Sequence, residues 1–306
     1  MLKPLKLAVA CAIALSIVPG MAAAQPKKFT VGYTNLADTD LFTISRKNAF
    51  IDAEKAEPNL NVSFADANGD INRQLDQIDN FIAQKVNAII IVPVDNQGIV
   101  PGIVKANTAG IPVIALGIHA AGGTYTFVGS KNFDAGRMQG EYVAKVLPRN
   151  ARIVYLQGTP GLYHSKERMD GFTKAMEGRP DVKVLASLSA NYDRAEGMKV
   201  TEDWVQRFPQ FDGVIAANDQ MALGALQALK AAGRKGVLIS GIDGTKDALV
   251  AIKAGEMSQS IFQNAKGQAE GAYQAVKMIT EGKTLPKEVL IPFESITKDN
   301  VDKYMK

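Results

Sequence analysis

The side chains best equipped for chemistry stand at the ends of short apolar runs. Asn35 closes an opening β-prone run, Phe42 and Arg168 open helical stretches, Tyr192 sits in the loop 189–193, and Asn218, Asp243 and Gln263 each follow an apolar run. Amides and a carboxylate that accept and donate in pairs, a planar arginine fork and aromatic rings suit a small molecule dense in hydroxyls. Each charge-assisted hydrogen bond of this kind contributes roughly 1.5 to 3 kcal/mol. About four or five of them support roughly micromolar binding, near −8 kcal/mol.

Bond-breaking chemistry finds little to use. With two histidines, His119 and His164, and a single cysteine, Cys11, a metal site of the His/Cys kind lacks ligands. A serine hydrolase needs one of these histidines as base, and no G-x-S-x-G elbow presents a nucleophile. An isolated loop histidine is usually only a polar residue, yet both follow strands and could line a cleft. The stretch 66–72 (DANGDIN) looks like a calcium loop, but Gly69 stands fourth instead of sixth and Gln77 occupies the position of the bidentate glutamate. A turn followed by an N-cap at Asp70 is expected there instead. The loop 158–161 (GTPG) follows a strand without G-x-G-x-x-G or a P-loop lysine, so no nucleotide cofactor is expected. No cofactor of any other kind is expected either.

The elements that must position these groups read as alternating strands and helices. Residues 88–92 form a continuous aliphatic run, as in a strand buried on both faces. Strands at 29–35, 61–65, 88–92, 112–116 and 126–128 alternate with helices at 42–57, 71–82 and 99–109. The pattern restarts with helices at 133–147, 168–176 and 198–208 and strands at 152–156, 182–186 and 214–217, and continues through 237–262. A last helix at 265–281 and a strand at 289–291 could return to the first lobe. This order implies parallel, doubly wound α/β sheets, whose ligands bind outside the carboxyl ends of the strands. In 213–229 (GVIAANDQMALGALQAL) the polar pair Asn218-Asp219 stands at such an end. A plain helix cap explains the pair in isolation. Asp243 and Gln263 follow strands in the same way, which favours ligand contact for Asn218 and leaves Asp219 as the expected cap.

Residues 1–24 read as a secretory signal peptide: Lys3 and Lys6, an apolar core at 7–18, and Ala22-Ala23-Ala24 before Gln25. A periplasmic location, with cleavage near Ala24/Gln25, follows as an expectation. The 282 residues that remain suggest about two lobes. Cys11 falls inside the leader, so the mature chain has no disulfide. The formal charge of +4 becomes +2 without the two leader lysines; near neutrality leaves no footprint for nucleic acid.

Several stretches, at 128–137 (VGSKNFDAGR), 165–172 (SKERMDGF), 190–197 (ANYDRAEG), 216–229 (AANDQMALGALQAL) and 241–248 (GIDGTKDA), together resemble the periplasmic sugar-binding proteins of ABC transporters, of the ribose-binding kind, which share a fold with lac-repressor-type effector domains. The resemblance spans essentially the whole mature chain. It implies a type I periplasmic binding protein: two lobes joined by a three-strand hinge, 25–130 with 264–291 and 131–263 with 292–306, closing over a sugar. It further implies a monomer that docks on a membrane permease, with a chemoreceptor as a further reader of the closed form. The family's hydrogen-bonding residues correspond to Arg168, Asn218, Asp243 and Gln263, and its ring-stacking aromatics to Phe42 and Tyr192. Ribose-type members place an acid and an arginine directly after the fourth strand, where this chain has Gly117-Ile118. Asn35, Asp38, Thr39 and Asp40 offer polar groups in exchange, with His119 as an extra contact. A neutral polyol, a cyclitol or a sugar other than ribose is the expected ligand. A sensor built on the regulator core needs a helix-turn-helix where the leader stands, and a periplasmic enzyme of sugars lacks its catalytic constellation.

Overall fold

Uninterrupted aliphatic runs make strands that are buried on both faces, and the segments of mixed polarity between them cover those faces as helices. In the computed structural model, which describes residues 28–39 and 41–305, the chain opens with β1 (Phe29–Asn35), α1 (Leu41–Lys55), β2 (Leu60–Asp66), α2 (Ile71–Ala83), β3 (Ala88–Ile91), α3 (Val100–Thr108), β4 (Val113–Leu116) and β5 (Thr126–Gly129). It then runs through α4 (Asn132–Val146), β6 (Arg152–Gln157), α5 (Tyr163–Met176), β7 (Lys183–Ser189), α6 (Arg194–Arg207), β8 (Gly213–Ala216), α7 (Asp219–Ala231), β9 (Leu238–Asp243), α8 (Lys246–Lys253) and β10 (Gln259–Phe262). It closes with α9 (Ala265–Thr280), β11 (Glu288–Leu290) and β12 (Glu294–Ile296). The leader, Cys11 and Asp40 lie outside the described residues.

Two sheets result, ordered β11-β5-β4-β3-β1-β2 and β12-β10-β9-β8-β6-β7. The chain passes between them three times, after β5, after β10 and after β11. In each sheet the strand order reverses beside a central strand, β1 in one and β6 in the other, and the crevice outside the carboxyl ends at such a switch point is where open α/β sheets bind ligands. The second sheet is not wholly parallel as the alternation implied: β12 pairs antiparallel with β10, Ser260 opposite Ile296. β12 enters the sheet directly from β11 of the other lobe through the third crossing, and not from a helix packed on its own sheet.

Residues of β3 and β4 are fully buried, and the second core gathers Ile153, Leu156, Val214, Ile215, Met221 and Trp204. Apolar periodicity located the helices but not all of their starts. Helix α5 begins at Tyr163 and α6 at Arg194, each about one turn before the expected first residue. Asp193 caps α6 by accepting from Glu196 N at 2.8 Å. The α4 and α5 backbones touch: a Cβ at Gly136 would strike the Arg168 carbonyl. That approach fixes where Arg168 projects. Asp70 caps α2 as expected, accepting from Asn72 N at 2.8 Å. Among the described residues no helix is long and apolar enough to cross a membrane.

Candidate functional site

A cleft of about 540 Å³ opens between the lobes at the carboxyl ends of both sheets. One wall comes from the loop after β1, the first turns of α1 and the residues after β4; the other comes from α5, the Asn191–Arg194 loop and the ends of β8, β9 and β10. Pockets of a few hundred Å³ are the size that encloses one small ring or chain.

Arg168 organises the second wall. Only 4% exposed, it donates from Nε to Asn132 Oδ1 at 3.0 Å, from Nη1 to the Ala217 carbonyl at 2.6 Å and from Nη2 to Gln263 Oε1 at 2.9 Å. The Asp243 carboxylate stands 3.9 Å from Nη1. These bonds hold a guanidinium that burial alone would penalise, and they aim Asn132, Gln263 and Asp243 at one volume. Asp243 has φ 134° and Tyr192 φ 61°, both in the region glycine favours. Backbone held in sparsely populated conformations persists where the surroundings over-determine it, often at a binding site. The Tyr192 ring lies against Gly158, with its hydroxyl 2.9 Å from Ser165 Oγ.

Asn218, not Asp219, caps α7: its Oδ1 accepts from Met221 N at 3.0 Å, while Nδ2 donates to the Tyr192 carbonyl at 3.2 Å. Asn218 therefore both caps and lines the cleft. Asp219, fully buried, turns away from it and accepts from Ser260 Oγ at 2.6 Å, Thr245 N at 2.8 Å and Thr245 Oγ1 at 3.2 Å, tying α7 to β10 and to the start of α8. Burial pushes its carboxyl up, against those hydrogen bonds. Both residues are good caps; the partners available on β10 and beside α8 decide which one serves.

The first wall carries a residue that sequence reasoning missed. Arg46 is 2% exposed and lines the cleft, donating from Nη1 to Gln268 Oε1 at 2.9 Å. Its guanidinium carbon stands 5.4 Å from the Phe42 ring centroid, one turn earlier. The signal was that spacing: i and i+4 share a helix face. Asp38 pairs with Lys47 and accepts from Asn35, so it is engaged within its own lobe.

Of the expected site residues, Phe42, Arg168, Tyr192, Asn218, Asp243 and Gln263 all line this one cleft. Asn35 does not: fully buried, it donates to the Ala37 carbonyl at 3.1 Å and to Asp38 at 2.6 Å, because its side chain braces the turn into α1. His119 also stands off the cleft wall. It stacks on Phe127 with ring centroids 3.6 Å apart and meets the edge of Tyr163. Asp40 lies outside the described residues. His164, in contrast, lines the cleft and stacks on Tyr192 at 5.1 Å. Burial, then the positive charges of Arg168 and Arg46, push its pKa down to about 3, so the ring is neutral at physiological pH. Its Nδ1 is buried without a hydrogen-bond partner among the described residues.

Residues 31–284 match the family described as periplasmic binding protein domain. A putative rhizopine-binding protein of Rhizobium meliloti is 34% identical over 284 residues, covering 90% of this chain and 92% of the relative. The xylitol-binding protein of Mycolicibacterium smegmatis is 36% identical over 287 residues, covering 92% of this chain and 81% of the relative. Among solved structures, an ABC transporter solute binding protein of Bacillus halodurans with bound myo-inositol superposes with a TM-score of 0.87 at 33% identity, covering 92% of this chain and 98% of that one.

Proposed function

The chain belongs to the periplasmic binding protein domain family, and from that premise we propose how its cleft is used: a small neutral sugar or polyol is captured between the lobes and handed to an ABC-type importer. No bond of the ligand is broken. The observation that carries this reading is the buried network of Arg168, Asn132, Gln263 and Asp243 at the strand ends, facing a second arginine from the opposite lobe. Such a set satisfies hydroxyls that both donate and accept. The relatives' names point the same way, being those of binders of rhizopine, xylitol and myo-inositol. A cyclitol or polyol is favoured over ribose, since Gly117-Ile118 offers neither an acid nor an arginine side chain.

The first lobe comprises 25–130 with 264–291 and the second 131–263 with 292–306, and Asn35 and His119 are not among the residues that line the cleft. The protein works as a monomer exported by its leader, and the permease recognises the closed pair of lobes. A thermal-shift panel of myo-inositol, xylitol, D-allose and D-ribose tests the reading. A ligand that binds only the folded state at 100 times its Kd stabilises it by about 2.7 kcal/mol, a rise of several degrees; no shift with any of the four refutes it.

A further inference from the structure

Arg46 reaches the cleft because the residue after β4 has no side chain. Gly117 adopts φ 81°, and a Cβ there would collide with Arg46 Nη1 and stand 3.1 Å from Cζ. The guanidinium thus occupies the space that any side chain at 117 would take. It is anchored behind: Gln268 accepts from Nη1, and Gln268 Nε2 donates to Ser130 Oγ at 3.0 Å. Residues 130 and 268 flank the first and second crossings between the lobes. A buried arginine serving packing alone has no need to border the ligand's volume, yet Arg46, Phe42 and Gly117 border it together. Its charge, with that of Arg168, is felt by His164 on the opposite wall.

Resting on the sugar or polyol reading above, we propose that Arg46 is a ligand-contacting, specificity-determining residue, whose guanidinium, seated on Gly117, grips a vicinal diol of a cyclitol or pyranose ring from the lobe opposite Arg168. A planar fork with two parallel N–H groups matches two adjacent hydroxyl oxygens, which a lysine ammonium cannot reproduce. A side chain at 117 would push the guanidinium of Arg46 out of its present seat, so an arginine delivered from α1 takes the place that polar side chains after β4 would otherwise fill. Exchanging the buried partners of hydroxyls in this way changes which ring is accepted.

The test is titration calorimetry of the wild type, Arg46→Lys and Gly117→Ala with myo-inositol, D-allose, xylitol and D-ribose. Arg46→Lys is expected to weaken the tightest-bound ring by at least about tenfold while affecting the open-chain xylitol less, so that the order of preference changes. Gly117→Ala should follow it; if that variant fails to fold, Arg46→Lys, whose folding a circular dichroism melt establishes, decides alone. Affinities of Arg46→Lys within about threefold of the wild type for every probe, or a fall by one common factor, overturn the proposal and leave the sugar or polyol reading standing. A wild type that binds none of the probes overturns both.

Discussion

Replacing Arg168 with lysine keeps the charge and removes the geometry. The guanidinium makes three donations of 2.6 to 3.0 Å to groups on three different segments; an ammonium at the end of a shorter stem can keep about one of them. Losing two charge-assisted bonds at roughly 1.5 to 3 kcal/mol each gives about 3 to 6 kcal/mol before relaxation. The cleft lets water reach Gln263 and Asn132, which recovers about half, so a net loss of about 1.5 to 3 kcal/mol is expected. At about 2 to 4 °C per kcal/mol for a chain of this size, the melting midpoint falls by roughly 3 to 12 °C. Ligand affinity should fall as well, by at least about tenfold or 1.4 kcal/mol, because Gln263 and Asp243 lose the group that aims them. Scanning calorimetry and titration with the tightest-binding panel compound measure both. Gln263→Ala and the double variant complete a cycle in which a coupling of about 0.5 to 3 kcal/mol marks one network. A lowered midpoint with affinity within about threefold of the wild type makes Arg168 a structural residue only, and an unchanged midpoint refutes the energetic argument.

Asp219→Ala strands Ser260 Oγ in a fully buried position and Thr245 N in a half-buried one, and urea unfolding should show a loss of about 2 to 4 kcal/mol; an unaltered midpoint contradicts the role given to that carboxylate. For His164 the folded pKa of about 3 lies below the ordinary 6.5, so between those values the unfolded chain binds a proton that the folded one refuses. Its contribution to stability is therefore complete above pH 6.5 and is lost as pH falls toward 3, with a slope of up to about 1.4 kcal/mol per pH unit. His164→Phe, which preserves the stack on Tyr192, should flatten the pH dependence of unfolding between pH 6 and 4. Equal slopes for the two proteins would exclude a neutral, proton-refusing His164.

What the sequence made legible is what depends on local pattern. Ala88–Ile91 and Val113–Leu116 announce themselves because strands in a parallel sheet are buried on both faces and leave no polar alternation. Asn218, Asp243 and Gln263 stand out because each follows such a run. Arg46 did not, since a charged residue on a helix of mixed polarity ordinarily faces solvent, and its buried partner Gln268 lies 222 residues away. His164 stood out as a histidine after a strand that could line a cleft, but not as a ring stacked on Tyr192, because α5 starts a turn before its apolar periodicity does. The cap of α7 was misassigned between two adjacent cap-forming residues for the same reason: Ser260 and Thr245, which claim Asp219, are tertiary neighbours that no local window contains.

Both guanidiniums are tied to the crossings between the lobes. Arg168 donates to Asn132, the first residue of α4 beyond the first crossing, and to Gln263, in the second. Arg46 donates to Gln268, in the first turn of α9, and Gln268 donates to Ser130 in the first crossing. Residues beside a hinge are the least displaced when it bends, so in the proposed closure both arginines are expected to keep these acceptors. Contacts that survive opening and closing alike cannot shift the balance between them, because a ligand moves a two-state equilibrium only by its difference in affinity for the two states. On the proposed reading that difference comes from what a bound ring meets from both lobes at once: the two guanidiniums, with Leu41 and Phe42 on one wall and Leu162 and Tyr192 on the other. Leu41 borders the cleft while 57% exposed, and burying such a side chain against a seated ring yields up to about 1.5 to 3 kcal/mol. On that reading the two arginines select the ring and, together with the apolar rim, supply the gain that closure brings.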